Sequence, residues 1–258
     1  MENQKAAHYT GMGWIYRESR QGYSEIILDI LVSYTKVLAK GGTVVDVGAG
    51  TGIWTMQLAK RGLHCTAVEP NADMRENGKI CTAKFRNIDW RIGTAEETGL
   101  PDKIADWVTM ASAFHWSDST CSIPEFHRIL TDGGYLTLLW NPLVKEDDAL
   151  QLEVEDIIRK HVPDFSRNFR NGENSRRLML EGGLFRDVIE MRHQYTLQIN
   201  KKTYVNAWRA ANHLKTEAEK RGAGVFDSLI HEIEELLKDQ ETVQVPYLTK
   251  AWTAKKVC

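Results

Sequence analysis

Cysteine is scarce in this chain: four in 258 residues (Cys65, Cys81, Cys121 and Cys258), with no C-x-x-C pair among them. Thiols this scattered exclude a disulfide framework or a zinc knuckle and are expected to be reduced. Long apolar runs are also missing. None approaches the ~20 residues that cross a bilayer, and residues 1–5 carry no apolar leader, so a cytoplasmic protein without a membrane partner is expected. Neither sign of charge dominates. The 33 basic and 35 acidic residues leave a net charge of −2, without the basic excess of a nucleic-acid-binding surface, so no nucleic-acid partner is expected. The eight histidines show no metal-ligand spacing, and no metal is expected. G-x-S-x-G, P-loop and H-E-x-x-H motifs are absent, as are repeats and low-complexity tracts.

What is present is an ordinary globular composition, 42% hydrophobic and 26% charged, enough for a sizeable core. Ile27, Ile30, Leu31, Tyr34 and Leu38 recur at helical spacing over residues 24–38, ahead of Gly41-Gly42. Strands are expected at 43–47, 64–68, 88–92, 106–111 and 135–140. Helices are expected at 53–61 with Gly62 as the C-cap, at 72–84, and at 124–130 closed by Gly133-Gly134. This alternation implies a parallel sheet covered on both faces. The second half differs: 147–161 reads as a helix and 166–177 as a polar, arginine-rich stretch. Ile189, Met191, Tyr195, Leu197 and Ile199 alternate as a half-exposed strand. An amphipathic helix follows at 226–237, and the last extended segment is 242–256.

The most informative stretch is Val44-Val45-Asp46-Val47-Gly48-Ala49-Gly50-Thr51-Gly52: a β-branched run, an acid, then glycines on alternate positions before a helix. A strand, a tight turn and a helix N-terminus in this order bring a nucleoside-bearing ligand against bare backbone. A dinucleotide fingerprint places glycine at the first, third and sixth positions, and the sixth here is Ile53. The stretch instead resembles the S-adenosylmethionine (SAM) loop of class I methyltransferases. Together with Ala67-Val68-Glu69-Pro70 and Ala113-Phe114-His115-Trp116, it resembles the small-molecule branch of that family, the ubiquinone-type and trans-aconitate-type enzymes of methyltransferase domain type 11.

The resemblance implies an α/β, Rossmann-like, seven-stranded doubly wound sheet with the last strand antiparallel beside the fifth. The chain then reads as a single domain over 1–258. Residues 1–42 form an N-terminal lid and helix, 43–142 the SAM-binding core, 143–182 a cap insertion, and 183–258 the strands and helices that complete the sheet. It also implies the cofactor, SAM, with S-adenosylhomocysteine as product. Gly48, Ala49, Gly50 and Gly52 form its turn, and Asp46 lies near its ammonium tail or else caps the turn. Glu69, at the end of the second strand, would accept both ribose hydroxyls. Pro70 and Met74 follow on the turn beside the adenine edge. Thr94, Ala95 and Glu96 form the small-plus-acid turn at the adenine, and Ala111 ends the fourth strand at the ligand edge.

Residues 9–23 are aromatic and basic, and the Tyr16-Arg17-x-x-x-Arg20-x-x-Tyr23 pattern resembles the leader that folds over the cofactor, with Tyr16 and Arg20 as contacts. Tyr9, Trp14, Phe114, His115 and Trp116 would border the acceptor. His115 either takes a proton from a hydroxyl acceptor or orients its aromatic neighbours. Arg167, Arg170, Arg176 and Arg177 either grip an acidic acceptor or are a solvated loop. The expected activity is methyl transfer to a small molecule, at a carboxylate or hydroxyl oxygen, by in-line displacement. The alternatives are a nicotinamide-dependent oxidoreductase, an RNA methyltransferase and a non-catalytic SAM-binding protein; a homodimer is possible in any of these cases.

Overall fold

A computed structural model describes Gly13 and residues 21–146, 148–166 and 172–257. Seven strands form one sheet in the order β3-β2-β1-β4-β5-β7-β6. They are β1 (Thr43–Val47), β2 (His64–Val68), β3 (Ile88–Arg91), β4 (Ala105–Ala111), β5 (Leu130–Trp140), β6 (Phe185–Asn200) and β7 (Thr242–Lys256). The first five pair in parallel, and β7 lies antiparallel between β5 and β6, as expected. β1 reads as a run of valines because both its faces are covered; Val44, Val45 and Val47 are buried. Strand order reverses between β1 and β4, and the carboxyl ends there flank the crevice in which open α/β sheets bind ligands.

One face is covered by α1 (Glu25–Thr35) and α2 (Ile53–Lys60), whose Ile27, Leu28, Leu31, Trp54 and Leu58 pack with Val44, Trp107 and Leu139. The other is covered by α4 (Ser119–Ile129), through Ile123, Phe126 and Ile129 against Val45, Val108 and Leu136. Between β2 and β3 runs α3 (Ala72–Thr82), N-capped by Asn71, whose side chain accepts the Met74 N–H.

Several boundaries differ from the sequence pattern. α1 stops at Thr35 because Lys36 turns left-handed (φ 53°), and residues 37–40 form a separate 3-10 turn. The fourth helix starts at Ser119, five residues before Pro124, because the Asp118 side chain caps it. Pro124 is tolerated inside because the carbonyl it leaves unbonded, that of Thr120, belongs to an exposed residue. Leu130 and Gly133-Gly134 belong to β5 rather than closing that helix. Ile92 continues the alternation of β3 but lies past its end, 71% exposed.

β7 pairs with β5 only over Tyr135–Trp140, opposite Lys255–Lys250. Residues 242–249 therefore run past the end of β5, paired with 193–200 of β6. This overhang of ~25 Å projects from the carboxyl edge of the sheet. It carries a second core in which Ile199, Val243 and Val245 pack with α5 (Ala149–His161), α7 (Lys201–Arg209), α8 (Asn212–Glu219) and α9 (Val225–Leu236). The short α6 (Ser175–Leu180) instead sends Met179 into the core of the sheet.

Candidate functional site

The turn after β1 is built by three left-handed glycines, Gly48 (φ 66°), Gly50 (φ 59°) and Gly52 (φ 79°). At Gly48 space is decisive as well, since a Cβ would stand 2.7 Å from that of Ala113. Four N–H groups of this turn are used inside the protein. Gly48 and Ala49 donate to the carbonyl of Val68 (2.8 and 3.1 Å), and Gly52 to that of Ala49 (2.9 Å). Gly50 donates to Glu69 Oε2 at 2.8 Å. A pyrophosphate cradle needs these donors pointing outward, so the turn suits a ligand that approaches the backbone without a phosphate.

Glu69 is the hinge between the two turns. Its other oxygen accepts the Asn71 N–H at 2.9 Å, so backbone donors on either side hold the carboxylate at the carboxyl end of β2. Burial pushes its pKa up, while the Asn71 and Gly50 N–H groups and the charge of Arg75 pull it down. Each oxygen retains a lone pair for an incoming hydroxyl. Met74 is buried, and its Cε lies 3.5 Å from where a Cβ on Gly50 would stand, placing the thioether beside the turn. Thr51 Oγ1, in the middle of the turn, is buried and has no hydrogen-bond partner among the described residues. Sequence reasoning passed over this hydroxyl for the glycines around it.

Asp46 lies beneath the turn with no exposed surface. Its carboxylate accepts from Thr55 Oγ1 at 2.6 Å and Thr109 Oγ1 at 3.1 Å, tying β1 to α2 and β4. Burial raises its pKa to about 7 against the pull of the two hydroxyls, and the charge of Glu69 adds to the rise. At the third turn, Thr94 Oγ1 accepts the Glu97 N–H, Ala95 packs into the core, and Glu96 accepts the Asp118 N–H at 2.8 Å. That bond leaves Glu96 anchoring the start of α4. Ala111 packs on the opposite face of the sheet, Phe114 is a core residue, and Pro70 gives its carbonyl to Arg75. His115 and Trp116 sit in a single 3-10 turn after β4, their rings 5.1 Å apart. Arg176 donates to the Val188 carbonyl, and Arg177 pairs with Glu181 on the exposed surface. Tyr9, Trp14, Tyr16, Arg20, Arg167 and Arg170 lie outside the described residues.

The described ends of the N-terminal segment touch both sides of this site. Gly13 donates its N–H to Asp73 Oδ2 at the start of α3. At the far end, the Gly22 carbonyl accepts from Tyr195 OH (2.8 Å) and Asn141 Nδ2 (3.2 Å). Thr249 Oγ1 donates to Asn141 Oδ1, and Tyr23 OH to Ser112 Oγ, at the end of β4. No motif announces this network, because its members come from five distant parts of the chain.

Residues 45–138 match the family model described as "Methyltransferase domain". An uncharacterized methyltransferase of Mycobacterium bovis is 38% identical over 126 residues, 49% of this chain and 49% of its own length. A ubiquinone/menaquinone biosynthesis C-methyltransferase of Rubrivivax gelatinosus is 30% identical over 95 residues, covering 36% of this chain and 37% of that one. The chain thus spans about half, or less, of the length of these relatives. Among solved structures, a type II methyltransferase assignment from Anaeromyxobacter dehalogenans superposes with TM-score 0.67 at 18% identity, covering 92% of this chain and 97% of that one. A phosphoethanolamine N-methyltransferase of Haemonchus contortus, solved with S-adenosyl-L-methionine, gives TM-score 0.51 at 15% identity over 98% of this chain and 57% of its own. Nothing in these similarities supports the nicotinamide alternative. The chain has the class I methyltransferase fold, and its residues 45–138 match the methyltransferase-domain family.

Proposed function

We propose that the protein is a SAM-dependent methyltransferase acting on a small molecule, with an oxygen as acceptor atom. The observation that carries this reading is the Glu69–Gly50 bond. A glycine turn with four N–H groups internally used is joined to a carboxylate that keeps lone pairs for a diol, and that donor set suits an adenosyl group without phosphates. The buried Thr51 hydroxyl offers a further polar partner. When bound, the cofactor supplies an electrophilic methyl on a sulfonium.

The remaining work falls to the chain. Glu69 holds the ribose hydroxyls, Asp46 fixes the turn from below, and Met74 borders it. The overhanging β6–β7 ribbon and its helices bound the carboxyl edge and limit access of water, so that alignment does much of the catalysis. His115 lies in the turn that follows β4, and in this reading it receives the proton from an acceptor hydroxyl. Of the four similar proteins named above, one is called a C- and another an N-methyltransferase, so the oxygen assignment rests on His115 and not on them.

Calorimetric titration with S-adenosylhomocysteine and, separately, with NAD tests the reading. Saturable binding of the former alone, followed by transfer of a labelled methyl group to members of a hydroxyl and carboxylate acceptor panel, is the expected outcome. Binding of NAD instead overturns it. Salt-sensitive retention on RNA would favour an RNA acceptor.

A further inference from the structure

Arg75 is a buried cation in a place that disfavours one. It is the fourth residue of α3, inside the first turns of a helix, where the helix dipole repels positive charge. Its guanidinium folds back on the turn that precedes the helix. Nη1 donates to the Glu69 carbonyl at 2.9 Å and to the Pro70 carbonyl at 3.2 Å. The same turn is fixed at its other end by Asn71, which caps α3 with its side chain and donates its N–H to Glu69 Oε1. Arg75 thus closes the loop around the residue whose carboxylate faces the glycine turn.

We infer that Arg75 is a positioning residue for the cofactor site, holding the β2–α3 turn by its carbonyls so that Glu69 meets the ribose as an anion. The assignment rests on the reading of Glu69 given above. Glu69 is buried, which opposes its ionisation, and the Arg75 charge acts against that. Among the described residues, the other ionisable group in electrostatic reach of Glu69 is Asp46, of the same sign, whose own ionisation burial suppresses first and Glu69 opposes further. Removing the guanidinium therefore leaves Glu69 between a desolvated surround and a second carboxyl, with only two backbone N–H groups in its favour. A guanidinium bonded only to surface carbonyls would affect stability alone.

The test is titration of the full chain with S-adenosylhomocysteine across the neutral to mildly acidic range, for the unaltered protein, Arg75→Met, Arg75→Lys, Glu69→Ala and the double variant Glu69→Ala/Arg75→Met. Arg75→Met is expected to bind ~10-fold more weakly near neutrality, and its affinity should begin to fall at a higher pH than that of the unaltered protein. Arg75→Lys keeps the charge and should retain the unaltered pH profile with a smaller loss of affinity. In the Glu69→Ala background, Arg75→Met should cost ~2-fold or less, because the residue it acts through is gone. An unshifted profile in a folded Arg75→Met protein, or equal losses with and without Glu69, overturns the assignment. If Arg75→Met does not fold, a profile shifted in Arg75→Lys overturns it. Failure of the unaltered chain to bind at all overturns the SAM reading itself, an outcome distinct from these.

Discussion

The side-chain amide of Gln57 grips both backbone polar groups of Tyr23: the Tyr23 N–H donates to Oε1 at 2.9 Å, and Nε2 donates to the Tyr23 carbonyl at 2.8 Å. Gln57 is buried on α2, the helix that starts at the glycine turn, so this pairing ties the approach to α1 directly to the candidate site. There is little room to spare, for a Cβ on Gly22 would lie 3.0 Å from Gln57 Oε1. Gln57→Ala should therefore destabilise the protein by ~1–3 kcal/mol in denaturant titration, since it strands two backbone groups of an anchored residue. Hydrogen exchange at residues 21–24 should rise, while that at β1 stays protected.

Glu69 leads to a prediction about affinity. Glu69→Ala removes the carboxylate that Gly50 and Asn71 orient, and SAM binding should weaken by ~1–3 kcal/mol through lost charge-assisted hydrogen bonds. Calorimetry gives the answer, and unchanged affinity would remove Glu69 from the site.

Much of the sheet was legible because its signals are local. β2 and β7 have the limits that the hydrophobic pattern implies, and the valine run, the glycines and Glu69 fall consecutively at strand ends. What escaped depends on contacts distant in sequence. The Lys36 turn that splits the first helix carries no glycine to mark it, and α7, although capped by Asn200, is defined by Tyr204, Val205 and Trp208 meeting a core that α5 and α9 complete. Arg75 looked like an ordinary helical arginine; only the backward turn of its guanidinium onto Glu69 and Pro70 reveals its position. Glu96, expected at the adenine, also accepts the Asp118 N–H at the start of α4, a long-range bond that its short motif does not announce.

Gly78 reverses a familiar rule. Replacing a glycine inside a helix by alanine ordinarily stabilises by ~1 kcal/mol. Here a Cβ would fall 2.2 Å from the ring of Trp90, whose Nε1 is bonded to Thr82 Oγ1 at 2.9 Å. The ring must shift and the bond stretch, so Gly78→Ala should destabilise by ~1–3 kcal/mol, the cost of overpacking. Adding Trp90→Val should recover part of that loss in a thermal melt. A stabilised single variant would show that α3 and β3 are not packed as described.

The catalytic reading of His115 separates cleanly from its wall-forming alternative. If His115 receives the acceptor proton, His115→Asn should lower kcat ~10²-fold or more and leave binding of S-adenosylhomocysteine unchanged. A change in KM alone, measured on an acceptor that the unaltered enzyme methylates, would assign it to the pocket wall beside Trp116.

Asp46 makes the stability of the fold depend on pH in an unusual direction. Its folded pKa is raised to about 7, whereas in the unfolded chain it titrates near the ordinary ~3.9. Between these values the folded state holds a proton that the unfolded state has released, so this group's contribution to stability declines as pH climbs through the window and levels off above about 7. Carboxylates with depressed values act in the opposite sense at lower pH; Glu125, held by Arg128 and Thr98, is one of them. Asp46→Asn keeps the shape and can still accept from Thr55 or Thr109, but cannot ionise. Comparing its melting temperature with that of the unaltered chain from mildly acidic to neutral pH isolates the effect. The difference between the two should shift in favour of the Asn variant as pH rises, because only the unaltered chain must bury a developing charge. A constant difference across the window would mean that Asp46 is ionised throughout, held as an anion by its two threonine hydroxyls.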